Sequence, residues 1–306
     1  HPLANRTGFE FRPPGDRQLR VAVTSGTYHP SPEWSNNIPH PVEQTRGHIG
    51  AGDAFSPGWF DIPLEREVPV FLTVDSESAE SPGEVVTQFV AQRERENKRA
   101  IAISKVSESF GMQLALATRA FVVRRDTLKS VIAGYPWFLD WGRDSLICAR
   151  GLLAAGMTEE VRELLVIFGH FEKDGTLPNT IHGEDASNRD TTDAPLWYGI
   201  VCEEFAALNG PGIYDHKVTA EGRTIRDVLK SIALGYAKGT PNGINMDHES
   251  GLIWSPSHFT WMDTNYPAGT PRQGYPIEIQ ALWIRLLEQL EGLGVPHEEN
   301  RWSDLA

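Results

Sequence analysis

From about residue 86 onward, the chain is a succession of helix-length segments joined by loops of two kinds, and this pattern limits the fold more than any other feature. Phe110–Phe121 is apolar on a broad face, and similar segments recur at 144–155, 158–172, 193–208, 223–237 and 276–293. The segment at 158 opens on Thr158-Glu159-Glu160, which predicts a cap followed by first-turn acids. Some connections are short and bland, such as Gly156-Met157, whereas others are long and dense in His, Asp, Asn, Trp and Pro. Antiparallel helix pairs with chemically rich loops at one end fit an α/α toroid, and fit an α-solenoid equally well. No repeat of fixed period supports the solenoid.

The first 76 residues have a different texture, rich in Pro, Gly, His and aromatics. Leu19–Thr24 alternates and Pro69–Val74 has high β-propensity, so both are predicted strands. Ser56-Pro57-Gly58 is predicted to be a turn that enters a further strand. Too few strands are present to bury two sheet faces, so this region is expected to be the edge of a β-sandwich. The acidic, Ser-rich stretch Asp75–Glu84 is expected to be a solvated linker or helix start.

The net charge of −13 disfavours nucleic acid and anionic membranes as partners, while a neutral sugar is indifferent to it. Cys148 and Cys202 both sit in apolar runs and are expected to be small buried hydrophobes in a reduced, cytoplasmic protein. There is no window of eighteen or more apolar residues and no cationic start to an apolar run, so no span or signal is expected. The first residue is His, which suggests a processed or excised chain. The histidines lack ligand spacing and no nucleotide loop is present, so neither metal nor cofactor is expected.

Four clusters carry candidate chemistry. Tyr135–Asp144 packs four aromatics, Arg143 and two carboxylates into the mouth of a helix. Trp141 can stack on the apolar face of a pyranose while Arg143 and Asp144 bind its hydroxyls, the alternative being a core helix with an aromatic entry loop. Asp193 precedes Ala194, Pro195 and Trp197 at a predicted helix start, where N-capping is the structural alternative. Asp263 is wedged against Trp261 and Met262. An apolar pocket would raise its pKa toward the range of a proton donor, and the alternative is a loop aspartate capping its own backbone. Glu278 falls among apolar residues, with Arg272 as the obvious partner for a structural ion pair.

Taken in order, these motifs resemble the amylo-α-1,6-glucosidase domain of glycogen debranching enzymes of the bacterial type. The residues that carry the resemblance are Trp141-Gly142-Arg143-Asp144, Gly175-Thr176-Leu177-Pro178-Asn179, Asp193-Ala194-Pro195-Leu196-Trp197, Thr260-Trp261-Met262-Asp263, and Pro271-Arg272 with Glu278-Ile279. Glu43, Arg46-Gly47 and Asp53–Phe60 resemble the end of the β-sandwich that precedes the catalytic domain.

The resemblance implies a mainly α fold, an (α/α)6 toroid incomplete in this chain, preceded by the C-terminal strands of a β-sandwich. The expected division is 1–76 for the sandwich strands, 77–103 for a linker and linker helix, and 104–306 for the N-terminal part of the glycosidase domain. It further implies an inverting hydrolysis that releases glucose from α-1,6 branch points of an α-glucan, with Asp263 as general acid. Trp141, Arg143, Asp144, Asp193, Trp197, Trp261, Arg272 and Glu278 would hold the sugar. An inverting enzyme needs a second carboxylate about 6.5–9.5 Å away as base, and the resemblance puts it beyond Ala306. Arg189-Asp190-Thr191-Thr192 departs from the tyrosine-asparagine of many relatives, and the loop 264–269 is short. Other readings are a trehalase-like or glucoamylase-like exo-glycosidase on the same barrel, and a glucan-binding module without turnover.

Overall fold

The computed structural model describes residues 1–4, 6–13, 18–45, 47–76, 82–264, 270–297 and 301–305. Much of the expected acidic linker and most of the loop after Asp263 lie outside these residues. The chain divides into two compact units, His1–Glu96 and Asn97–Ala306.

The first unit contains β1 (Thr7–Phe11), β2 (Leu19–Val23), β3 (Thr27–Pro39), the short α1 (Pro41–Thr45), β4 (Ala51–Asp61) and β5 (Leu72–Asp75). An antiparallel sheet of order β1-β2-β5 has β2 at its centre, and β3 pairs with β4 as a separate antiparallel ribbon. The alternation that predicts β2 is matched by burial of Val21, Ala22 and Val23. Across the β1–β2 register, Arg20 pairs with Glu10, an opposite-charge cross-strand pair.

Ser56-Pro57-Gly58 is not a turn but lies within β4. Pro57 is tolerated because a two-stranded ribbon leaves each strand an unpaired edge. Gly58, at φ +150°, passes so close to β3 that a Cβ would stand 2.3 Å from the His29 carbonyl oxygen. The long β3, which carries Pro30 and Pro32, was not expected; a bulge between Pro30 and Glu33 absorbs the mismatch.

In the second unit the helices follow the apolar periodicity. They are α2 (Pro82–Ser104, in which the two units divide), α3 (Ser109–Arg119), α4 (Gly142–Ala154), α5 (Thr158–Phe171), α6 (Asp193–Asn209), α7 (Ile225–Lys238) and α8 (Ile277–Gly292). Helix α6 is the hub: Leu196, Tyr198, Ile200, Val201 and Cys202 are all buried, and α4 and α8 pack on it. Tyr198 donates to the Leu165 carbonyl, and Gln289 of α8 donates to the Gly199 carbonyl, so these buried polar side chains are satisfied. Both cysteines are free, Cys202 fully buried and Cys148 partly so.

Two expectations for the helical region need correction. A hairpin, β6 (Val122–Arg125) with β7 (Leu128–Val131), interrupts it, turning at Asp126 with φ +50°. Thr158 is already helical, its predecessor Met157 is the N-cap residue, and no side-chain cap bond forms. Strands preceding a helical domain are therefore what the structure shows. The described residues hold eight α-helices, short of the twelve of a closed (α/α)6 ring.

Candidate active site

The start of α4 is fixed by two backbone contacts. The pair β8 (Asp140–Trp141) and β9 (Thr180–Ile181) aligns Trp141 with Thr180. One residue on, Gly142 N–H donates to the Asn179 carbonyl at 2.9 Å. A Cβ on Gly142 would lie 2.6 Å from the Pro178 carbonyl oxygen and 3.2 Å from Ala194 Cβ, so the glycine serves close approach between α4, the 175–179 turn and α6.

That turn is itself braced. The buried Glu172 carboxylate accepts from Gly175 N–H and Ser231 Oγ and is ion-paired with Arg223. Arg189 donates to the carbonyls of Phe171 and Thr176. Its half-buried guanidinium has a pKa lowered by desolvation. Arg189 thus supplies a strut for the turn.

Arg143, only 8% exposed, is the centre of the site. Its Nε donates to Asp193 Oδ2 at 2.5 Å, Nη1 to Asp263 Oδ2 at 2.8 Å, and Nη2 to the Thr260 carbonyl at 2.7 Å. Burial opposes its charge, but the bonds and charges of Asp193 and Asp263 outweigh burial and raise its pKa. Asp193 does not cap α6. It is the first helical residue, Thr192 is the N-cap residue, and the carboxylate is taken up by Arg143 and the Thr191 hydroxyl at 2.9 Å. The surroundings of Asp263 are not the apolar pocket expected from Trp261 and Met262. Its side chain is 29% exposed and faces the guanidinium.

Asp144, next along α4, lines a cavity of about 350 Å³ together with Phe121, Ala133, Arg143, Ile147 and Cys148 among others. Desolvation raises its pKa against the lowering effect of Arg143, with Asp263 and Asp193 adding to the rise. The same burial, with the Asp144 charge, raises the Cys148 thiol.

The remaining candidate residues fall into separate groups. Arg272 forms the expected ion pair with Glu278 through both carboxylate oxygens, and its guanidinium lies 5.9 Å from the centroid of the exposed Trp261 ring. Trp197 lies one turn beyond Asp193 on α6, and its ring meets Arg150 at 5.6 Å. It is therefore packed along the α4–α6 contact and is not gathered with Arg143, Asp193 and Asp263. Trp141 is half-buried in the β8–β9 pairing.

The amylo-alpha-1,6-glucosidase family model matches residues 116–306, and the model of the glycogen debranching enzyme N-terminal domain matches residues 3–71. The chain belongs to the amylo-alpha-1,6-glucosidase family. A comparison with curated proteins returned no match.

The amylo-alpha-1,6-glucosidase match covers every residue of the Arg143 network and the turn that supports it. Three of those residues were given no role in the sequence: Glu172 and Thr191, which steady the turn and Asp193, and Thr260, whose carbonyl completes the set around Arg143. A carbonyl ligand leaves no sequence signal, and Glu172 looks like any helix-end acid. Among the described residues no group of three His, Cys, Asp or Glu is placed to hold a metal ion. No helix among them is long and apolar enough to cross a membrane.

Proposed function

We propose that the chain serves hydrolysis of α-1,6 branch points in a glycogen-like α-glucan, with release of glucose and inversion at the anomeric carbon. The observation that carries the reading is that Arg143 draws Asp193 and Asp263 together beside Asp144 and an open cavity. In this reading the terminal glucose enters that cavity, where Asp144 accepts from its hydroxyls. Asp263 donates a proton to the glycosidic oxygen as the bond to the anomeric carbon breaks. Water adds from the opposite face and gives its proton to a second carboxylate. Since Asp263 is held as an acceptor by Arg143, binding of substrate has to open that pair before the proton can move. The three bonds of Arg143 use three of the five N–H groups of its guanidinium.

The same ion pair favours one other reading, glucan binding without turnover. Glucose release from a branched limit dextrin by the intact protein, with trehalose and maltose alongside, separates the possibilities. Release from the branched substrate, abolished in Asp144→Ala and Asp263→Asn, supports debranching. Turnover of trehalose or maltose alone replaces it with another exo-glycosidase. Glucan affinity with no product from any substrate leaves the binding module.

A further inference from the structure

The β3–β4 ribbon exposes tryptophan to water on a scale that the first unit does not need for its own packing. Trp34 is 62% exposed and Trp59 is 55% exposed. Trp34 pairs in register with Phe55 and their rings lie 5.2 Å apart; His29 pairs with Trp59, the rings stacked at 4.1 Å and 19°. Phe55 and Trp59 are four residues apart along β4, which puts both on one face of the pleat and separates them by about 13 Å at roughly 3.3 Å per residue. Tyr28 and Phe60, each one residue out of phase, close on Phe9 of β1, and Phe55 lies 6.4 Å from Phe11 of the same strand. The exposed rings of Trp34 and Trp59 are thus two platforms on one ribbon.

We infer that this face is a binding site for a linear stretch of neutral α-glucan, distinct from the cavity beside Asp144. The choice of occupant rests on the α-glucan substrate proposed above and on three features of the ribbon. Flat aromatic faces match the apolar C–H faces of pyranose rings. Stacking by His29 covers one face of Trp59 and holds its rotamer, leaving the other face free at a small entropic cost. Ser31, exposed in the β3 bulge between His29 and Trp34, is a hydroxyl partner, and the net charge of −13 disfavours an anionic polymer. The spacing of the platforms requires an oligosaccharide, since one glucose cannot bridge them. Such a site would keep a branched polymer engaged while its chain ends are processed, raising effective concentration without taking part in chemistry.

The test is retardation of the 306-residue chain by glycogen in native gels, with maltoheptaose and glucose titrations followed by tryptophan fluorescence. Trp34→Ala and Trp59→Ala should each weaken retention by glycogen and binding of maltoheptaose about tenfold, the order of one lost aromatic stack. Glucose should bind no more weakly to them than to the parent chain. Circular dichroism should be unchanged, both rings being exposed. Full retention by the double variant would overturn the inference. So would self-association of the parent chain that is lost in the variants by sedimentation, which would make a second copy the occupant. Failure of the hydrolytic reading appears as absence of glucose release and leaves ribbon-dependent retention standing, so the two proposals fail separately.

Discussion

Arg143 Nη1 stands 2.8 Å from Asp263 Oδ2, although the two residues are 120 positions apart in the chain. The contact ties the first turn of α4 to the loop that carries Asp263, and Asp193 joins from the first turn of α6. Three segments without sequence proximity therefore share one cation. Each contributes a charge that would be costly to leave alone in the interior.

Replacing Asp263 with Asn should reduce hydrolysis of a branched substrate by about 10²–10⁴ in kcat in the intact protein, the usual contribution of a positioned general acid. Glucan affinity should change little. The amide oxygen can still accept from Arg143, so the melting temperature should stay close to that of the parent. Unimpaired turnover would remove Asp263 from the role of acid.

Asp193→Ala should behave differently, as a stability variant first. It deletes the acceptor of Arg143 Nε inside the protein, where both side chains are less than 10% exposed. Arg143 keeps the Asp263 carboxylate and the Thr260 carbonyl, so the cost is that of leaving one buried donor unpaired, about 1–3 kcal/mol. Urea unfolding measures it directly. A loss under ~1 kcal/mol, the size expected of an exposed pair, would mean that Arg143 finds another partner.

Glu160 offers a pH-dependent test. Burial raises its pKa, but the Lys129 hydrogen bond, with further help from the Lys129 and Arg99 charges, prevails and lowers it below 4.5. A carboxyl with a depressed folded-state pKa stabilises the fold above the unfolded value, and that contribution is lost as the pH falls through the folded value. Glu160→Gln should therefore lower stability by about 1–2 kcal/mol at neutral pH. The difference from the parent should shrink steadily below pH 4.5. A difference that does not depend on pH would assign the effect to packing.

The helices were legible because their information is local. Apolar spacing placed all five segments from 144 onward within two residues of their observed ends. Arg272 and Glu278, six residues apart, were paired correctly for the same reason. The short hairpin Val122–Val131 was not legible: each strand has only four residues, and two of them are arginines. Nor was the grouping around Arg143. Asp193 reads as a helix cap from its neighbours alone, and only the tertiary fold shows that Arg143, fifty positions earlier, claims its carboxylate. Asp263 was misread in its surroundings for the same reason, since the flanking Trp261 and Met262 suggested an apolar setting and the guanidinium came from elsewhere in the chain.

Gly142 links the fold to this site through a contact that admits no side chain. Its Cβ position is occupied by the Pro178 carbonyl oxygen at 2.6 Å, a backbone atom of the braced turn, with Ala194 Cβ at 3.2 Å on α6. Gly142→Ala must push the turn and α6 apart, and overpacking of this kind costs about 1–3 kcal/mol. The shift falls on the residue before Arg143, so the bonds to Asp193 and Asp263 should be misaligned together. The expected outcome is a lower melting temperature accompanied by loss of turnover well below that temperature, in protein that is still folded by circular dichroism. A variant that loses stability but keeps full turnover under those conditions would show that Arg143 is positioned by its acidic partners alone and not by the backbone that carries it.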